Sequence, residues 1–235
     1  MLKNVNLRGL IFDKDGTLFD FQRTWGSWAV SFLRDLSGGD AAVSADLAAR
    51  LGLDVATQTF HPTSPVIAGS FQEIVDLLMP GLSLRRADLI DRMLTSSQSV
   101  PLAEVVPLRP LMTRLQEMGF VLGVVTNDAV DAADAHLRAV QIKSRMAFIA
   151  GADSGFGAKP DPGPCHAFCA AVGLPAHEVA MIGDSTHDLR AGRAAGMTCI
   201  GVLTGPAGRD DLAPFADMIL ADIGELPDIL AGSRT

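Results

Sequence analysis

The sequence predicts an α/β fold: a Rossmann-like, doubly wound parallel sheet core with an inserted all-helical domain. Short, continuous apolar runs suit strands that are covered on both faces, as parallel strands are. Helical patterns separate these runs, and such alternation indicates a parallel sheet. From about Phe19 to Gln98 the alternation stops and only helical patterns follow, which indicates the insertion.

Five apolar runs are predicted as core strands and a sixth as an edge strand. The strands are predicted at 8–12, 120–125, 146–150, 179–182 and 198–203, and the edge strand at 217–220. The helices of the core are predicted at 108–118, 129–141, 163–173 and 186–196. Gly119, Gly173 and Gly196 are predicted to end three of these helices, as glycine often does.

The insertion shows four apolar stripes at helical spacing. They run over 21–36, 43–51, 71–78 and 89–94, and the proline-containing stretch 57–70 is predicted as a long loop. The predicted domains are therefore 1–18 with 99–235 for the core and 19–98 for the insertion.

Composition excludes several classes of protein. The net charge of −8 argues against a broad nucleic-acid-binding surface. The chain has no apolar run near the roughly 18 residues of a membrane span, and its start lacks a signal-peptide pattern, so we expect a cytoplasmic protein. Three cysteines cannot all pair, which favours reduced thiols.

Polar motifs follow four predicted strands, at the edge where open parallel sheets bind ligands. The motifs are DKDGTL (13–18), TND (126–128), KPDP (159–162) and GDSTHD (183–188). Alone, an aspartate after a strand is often a turn former or a helix cap. Four such motifs in order at four strand ends indicate a site.

The residue types fit phosphoryl transfer. A carboxylate can attack phosphorus, but two anions approach each other only if a divalent metal and a fixed ammonium neutralise charge. Oxygen ligands without a His or Cys cluster suit Mg²⁺. In an extended chain, residues two apart point the same way, so Asp13 and Asp15 would share a side while Lys14 points elsewhere. One carboxylate would attack and its neighbour would move the proton.

The four motifs resemble those of the haloacid dehalogenase-like superfamily, and GDSTHDLRAGRAAGMTCIGVLTG (183–205) is similar to its phosphoglycolate phosphatase-like members. A helical insertion directly after the first motif resembles the cap of the first subclass, which closes over small soluble substrates. The resemblance implies a Mg²⁺-dependent phosphatase acting on a small phosphorylated metabolite, with phosphoglycolate as the best single substrate.

The resemblance also implies the acid–base and metal-binding roles. Asp13 would be the nucleophile and a metal ligand. Asp15 would be the general acid/base, and its backbone carbonyl would also reach Mg²⁺. Asp184 would ligate the metal directly, and Asp188 would do so through water or would orient the site lysine.

The remaining predicted residues would contact the substrate. Thr126 and the Asn127 amide would hold phosphoryl oxygens, and Lys159 would neutralise the nucleophile and the phosphoryl group. Gly16 completes the phosphate-binding set, and Arg23 is a candidate contact for a second anionic group.

Asp15 also separates this chain from two branches of the superfamily. Dehalogenases lack a carboxylate two residues after the nucleophile, and P-type pumps have threonine there. Two alternatives stay open: a phosphomutase of the β-phosphoglucomutase type, and a non-catalytic phosphate-ligand-binding relative, which would be expected to lose one of the four principal motif residues. The expected partners are a small metabolite, with neither nucleic acid nor membrane, in a monomer or homodimer.

Overall fold

The chain divides into two compact units. A computed structural model describes residues 6–61, 63–68 and 71–231; the predicted ranges also include 1–5, 62, 69–70 and 232–235, which lie outside the described residues. The first unit, here called the core unit, is Met1–Asp20 with Glu104–Thr235. The second, here called the inserted unit, is Phe21–Ala103.

The core unit contains a six-stranded sheet. In chain order the strands of both units are β1 Gly9–Phe12, β2 Leu53–Asp54, β3 Thr59–Phe60, β4 Val121–Val125, β5 Met146–Ala150, β6 Val179–Gly183, β7 Thr198–Val202 and β8 Met218–Leu220. The sheet has the order β5-β4-β1-β6-β7-β8, and every neighbouring pair in it is parallel. The predicted α/β fold with a parallel sheet is therefore confirmed.

Helices occur in both units, and those of the core unit lie between its strands or after the last one. In chain order they are α1 Ser27–Leu36, α2 Ala41–Arg50, α3 Pro65–Ala68, α4 Phe71–Leu78, α5 Arg86–Ser97, α6 Leu108–Glu117, α7 Val130–Ala139, α8 Gly163–Val172, α9 Thr186–Ala194, α10 Arg209–Leu212 and α11 Leu226–Ala231. Among the described residues, no helix has the length and apolar character needed to cross a membrane.

Strand β1 positions the first motif at the centre of the sheet. It pairs with β4 on one side and β6 on the other, and all four of its residues are buried. The backbone N–H of Asp13 continues the ladder by donating to the carbonyl of Ile182, at 2.8 Å. Below the sheet, Phe168 of α8 packs with Ile11 and Met181 in one buried cluster. Burial of a phenylalanine side chain contributes about 1.5–3 kcal/mol, so this packing stabilises the strands that carry the motifs.

The inserted unit is mainly helical, with its own core. Phe32, Leu47, Val75 and Leu89 from four helices belong to one buried cluster. The unit also contains an antiparallel pair, β2 with β3, which the sequence interpretation did not include. Strands of two residues are too short to show an alternating pattern, and this pair lies partly within the stretch 57–70 that was predicted as a loop.

Candidate active site

Four of the predicted residues lie together at the carboxyl edge of the core sheet. Asp13 follows β1, Lys159 lies in the loop after β5, and Asp184 and Asp188 follow β6. One carboxylate oxygen from each of the three aspartates lies within 4.8 Å of the others. The Lys159 Nζ lies 2.5 Å from Asp13 Oδ1 and 2.6 Å from Asp188 Oδ1. All four residues are at most 8% exposed.

The charges in this cluster perturb one another strongly. Burial raises the pKa of Asp13 to about 7, against the opposing charge of Lys159. Burial, together with Asp13 and Asp188, holds the pKa of Asp184 well above its usual value. Burial alone would lower the pKa of Lys159, but Asp13 and Asp188 outweigh it and raise this pKa. When all three carboxyl groups are ionised, the single ammonium leaves two excess negative charges, so the ionised site favours a further cation.

The donor set fits Mg²⁺, which prefers carboxylate and carbonyl oxygens. Both oxygens of Asp188 also contact protein groups. Its Oδ1 pairs with Lys159, and its Oδ2 accepts from the N–H of Ser185 at 3.0 Å and from the Ser185 hydroxyl at 2.7 Å. The bond from the Ser185 N–H, together with one from the Asp188 N–H to the Ser185 hydroxyl at 3.4 Å, forms the capping box at the start of α9. Of the two roles predicted for Asp188, the geometry favours orienting Lys159.

Asp184 lies against the turn of the first motif. The hydroxyl of Thr17 donates to Asp184 Oδ1 at 3.2 Å. Gly16 has a φ of +85°, and a Cβ at this position would lie 2.3 Å from Asp184 Oδ2. Glycine is therefore required there for both backbone conformation and space. The Thr204 hydroxyl donates to the Gly16 carbonyl at 2.5 Å and ties this turn to the loop after β7. Contact between Gly16 and a phosphoryl group stays a prediction.

The second motif connects to the third through a side chain. The Asn127 Nδ2 donates to the Lys159 carbonyl at 2.9 Å, and its Oδ1 accepts from the Lys159 N–H at 2.8 Å. This amide pair fixes the backbone that carries the site ammonium. Thr126 is buried, and its hydroxyl accepts from the N–H of Asp128 at 3.1 Å.

Lys14 departs from the sequence prediction. It was expected to point away from the two carboxylates, and for Asp15 this is wrong, because Lys14 Nζ lies 2.6 Å from Asp15 Oδ2. The same ammonium lies 3.2 Å from Asp128 Oδ2 and 3.1 Å from His136 Nδ1. Lys14 is fully buried.

Lys14 can reach Asp15 because a turn follows β1. The Lys14 carbonyl accepts hydrogen bonds from the N–H groups of Leu18 and Phe19, at 2.9 and 3.1 Å, so the chain is not extended there. Two carboxylates flanking the lysine were visible in the sequence, and Asp128 was visible within the second motif. The position of His136 on α7 has no comparable signal.

Arg23 belongs to the inserted unit, not to the core cluster. It lies exposed on a π-helix, Gln22–Gly26. Two further arginines of this unit, Arg85 and Arg86, form surface ion pairs with Asp88 and Asp76. The predicted contact of Arg23 with a substrate stays a prediction.

Comparison with known proteins identifies the family. The sequence model of the haloacid dehalogenase-like hydrolase family matches residues 10–202, which include all four motifs. The chain belongs to this family. The predicted superfamily is thereby confirmed, and so is the predicted enzyme class, since the related phosphatases place the chain with the phosphoric monoester hydrolases.

Individual relatives agree with this assignment. A phosphoglycolate phosphatase of Mannheimia succiniciproducens is 33% identical over 98 residues, 42% of this chain and 44% of that protein. An N-acetylmuramic acid 6-phosphate phosphatase of Pseudomonas aeruginosa is 26% identical over 97% of both chains. The solved structure of a Thermotoga maritima protein, provisionally named a β-phosphoglucomutase, shares the fold. Its TM-score is 0.73 at 18% identity, over 96% of this chain and 99% of that one.

Proposed function

We propose that this chain is a Mg²⁺-dependent phosphatase that hydrolyses a small phosphorylated metabolite through an aspartyl-phosphate intermediate. A phosphoglycolate-like monoester is the leading substrate. The observation that most supports this proposal is the buried contact of the Lys159 ammonium with both Asp13 and Asp188. The carboxylate of Asp184, the third in the cluster, lies beside them. Such a site combines a nucleophile, a fixed cation and a place for a metal.

Asp13 is the proposed nucleophile. Its carboxylate attacks phosphorus, the bond from phosphorus to the substrate oxygen breaks, and the phosphoryl group is transferred to Asp13. Lys159 lies beside the attacking group and offsets the negative charge that otherwise repels the phosphoryl oxygens. Thr126 and the backbone amide of Asn127 would donate to those oxygens.

Asp15 is the proposed general acid/base. In the first step it gives its proton to the departing alkoxide. In the second step it takes a proton from water, whose oxygen attacks phosphorus, and the bond to Asp13 breaks with release of phosphate. Asp15 ends the cycle protonated, as it began.

The metal would be held by Asp13 and Asp184, with the Asp15 backbone carbonyl and Asp188 as the other predicted contacts. When bound, Mg²⁺ supplies positive charge to the phosphoryl oxygens. Asp188 holds Lys159 in place, whether or not it also reaches the ion through water.

The test is Asp13→Asn, assayed by release of p-nitrophenol from p-nitrophenyl phosphate, with Mg²⁺ and with a chelator. We expect activity to fall to background while the circular dichroism spectrum is unchanged, because the amide is a much poorer nucleophile. Asp210→Asn, at an exposed position of the core unit, is the matched control and should retain activity. Activity of Asp13→Asn at the wild-type level would refute the mechanism.

A substrate panel separates the hydrolase from the mutase. It should contain phosphoglycolate, N-acetylmuramic acid 6-phosphate and hexose phosphates, each assayed for inorganic phosphate and for isomerised sugar phosphate. Release of phosphate supports the proposal. Interconversion of hexose phosphates without net release would instead support the mutase.

A further inference from the structure

We propose that Lys14 is a positioning residue that fixes the carboxylate of Asp15 for proton transfer. The inference rests on the proposed function, in which Asp15 moves the proton. It concerns a cluster of Lys14, Asp15, Asp128 and His136, here called the lysine tripod, whose members other than Asp15 have no part in the mechanism described so far.

The Lys14 ammonium lies close to the three other members of the tripod. An ammonium has three N–H donors and no acceptor. Lys14 Nζ lies 2.6 Å from Asp15 Oδ2 and 3.1 Å from His136 Nδ1, and it forms an ion pair with Asp128 Oδ2 at 3.2 Å. Since the ammonium can only donate, His136 Nδ1 accepts and its proton resides on Nε2.

Two of the three partners of Lys14 are held in place independently of Asp15. The N–H of Asp128 donates to Thr126, and Asp128 Oδ1 accepts the N–H of Ala129 at 2.8 Å. His136 is buried on α7, and its ring meets the ring of Phe19 edge-on at 6.3 Å. These contacts place the ammonium, and the ammonium in turn places one oxygen of Asp15.

Burial distinguishes this contact from an ordinary surface ion pair. Exposed pairs are screened by water and contribute little. Lys14 has no exposed surface, whereas the Asp15 side chain is 19% exposed. One carboxylate oxygen of Asp15 is therefore held by a buried ammonium while the side chain keeps some exposed surface, as a group that exchanges protons with substrate and water requires.

The consequence for catalysis is geometric. Proton transfer needs a distance of about 2.6–3.2 Å between the two heavy atoms, and a misplacement of about 1 Å can cost about 100-fold in rate. Loss of Lys14 would remove the ammonium contact that fixes one oxygen of the Asp15 carboxylate. Binding of the phosphoryl group, which depends on other residues, would be retained.

The first test is Lys14→Met, which keeps length and removes the charge. For an alkyl monoester such as phosphoglycolate or glycerol phosphate, we expect kcat to fall by about 10- to 100-fold with little change in KM. The first step on p-nitrophenyl phosphate, measured as the pre-steady-state burst, should be much less affected, because that leaving group needs little help from an acid. Lys143→Met, at a lysine paired with Asp134 outside the tripod, is the control.

A second pair of variants covers the case in which Lys14→Met does not fold. Glutamine can accept the lysine hydrogen bond through its side-chain oxygen, and leucine offers no acceptor. We therefore expect His136→Leu to reproduce the selective loss on alkyl esters and His136→Gln to restore much of it. A purely structural role would lower the amount of folded enzyme and change both substrate classes alike.

The outcomes separate this inference from the proposed function. If folded Lys14→Met, or His136→Leu where the first does not fold, has wild-type kcat on alkyl esters, or slows the p-nitrophenyl phosphate burst as much as it lowers kcat on alkyl esters, the positioning role is overturned. Inactivity of Asp13→Asn in the same assays would then leave the phosphatase proposal standing. Activity of Asp13→Asn would overturn the phosphatase proposal itself.

Discussion

Two aspartates separated by one residue have different surroundings. Asp13 is buried and pairs with Lys159, whereas the Asp15 side chain is partly exposed and pairs with Lys14. When neighbouring carboxyl groups occupy different environments, one can act as a nucleophile and the other as an acid/base. The two lysines thus support the division of labour that the spacing DKD predicts.

Replacement of Asp15 should separate the two chemical steps. In Asp15→Asn, attack on p-nitrophenyl phosphate can proceed because the phenolate leaves without a proton, but water is no longer activated. We expect turnover to fall by about 10²- to 10⁴-fold and the phosphorylated enzyme to accumulate. Acid quenching followed by intact-protein mass spectrometry measures the added phosphoryl group.

The double variant Asp13→Asn with Asp15→Asn supplies the control for that measurement. It should carry no phosphoryl group, since the acceptor carboxylate is missing. Wild-type turnover in Asp15→Asn would rule out the acid/base role.

At the level of secondary-structure elements, the strand ends and the loops that follow them form the candidate site. The loop after β7 contributes through two residues that have no chemical role of their own. Thr204 holds the Gly16 carbonyl, and Gly205 lies so close to Asp184 that an added Cβ would be 1.7 Å from Asp184 Oδ2. This loop therefore sets the position of a proposed metal ligand.

The variant Gly205→Ala tests this arrangement. The added methyl group must displace the Asp184 carboxylate, so we expect the Mg²⁺ concentration for half-maximal activity to rise by about 10-fold or more, as when a supporting group of a metal site is lost. Gly208→Ala is a matched control in the same loop, where the nearest atom to a new Cβ is 3.5 Å away. Equal Mg²⁺ dependence of the two variants would contradict the expectation.

The elements show what sequence can and cannot predict. Strand ends were predictable because apolar runs such as 120–125 stop where polar motifs begin, and parallel strands bring those ends to one edge. The contacts of Lys14 were not predictable, because they depend on a turn at 14–19 and on the packing of α7. The β2–β3 pair was missed for a different reason: two residues show no period.

The whole chain is acidic, and three of its carboxyl groups are buried together. The net charge is −8, and the core unit buries Asp13, Asp184 and Asp188 together. Because the pKa of Asp13 is raised to about 7 by burial, the folded protein binds this proton where the unfolded chain, with a pKa near 3.8, does not. The stability from this group is fully present below about pH 3.8 and is lost as pH rises through about 7.

Mg²⁺ should therefore stabilise the protein most at neutral pH. Without metal, we expect Tm to be lower at pH 7.5 than at pH 5.5, by several degrees. At pH 7.5, Mg²⁺ at about a hundred times its Kd should add about 2.7 kcal/mol, or about 5–10 °C for a chain of this size. At pH 5.5 the gain should shrink, because protons compete with the ion for Asp13. Differential scanning calorimetry checks this, with Asp13→Asn expected to show a weaker dependence on both pH and Mg²⁺. If Mg²⁺ raised Tm equally at both pH values, or raised it as much in Asp13→Asn as in the wild type, the ion would bind elsewhere.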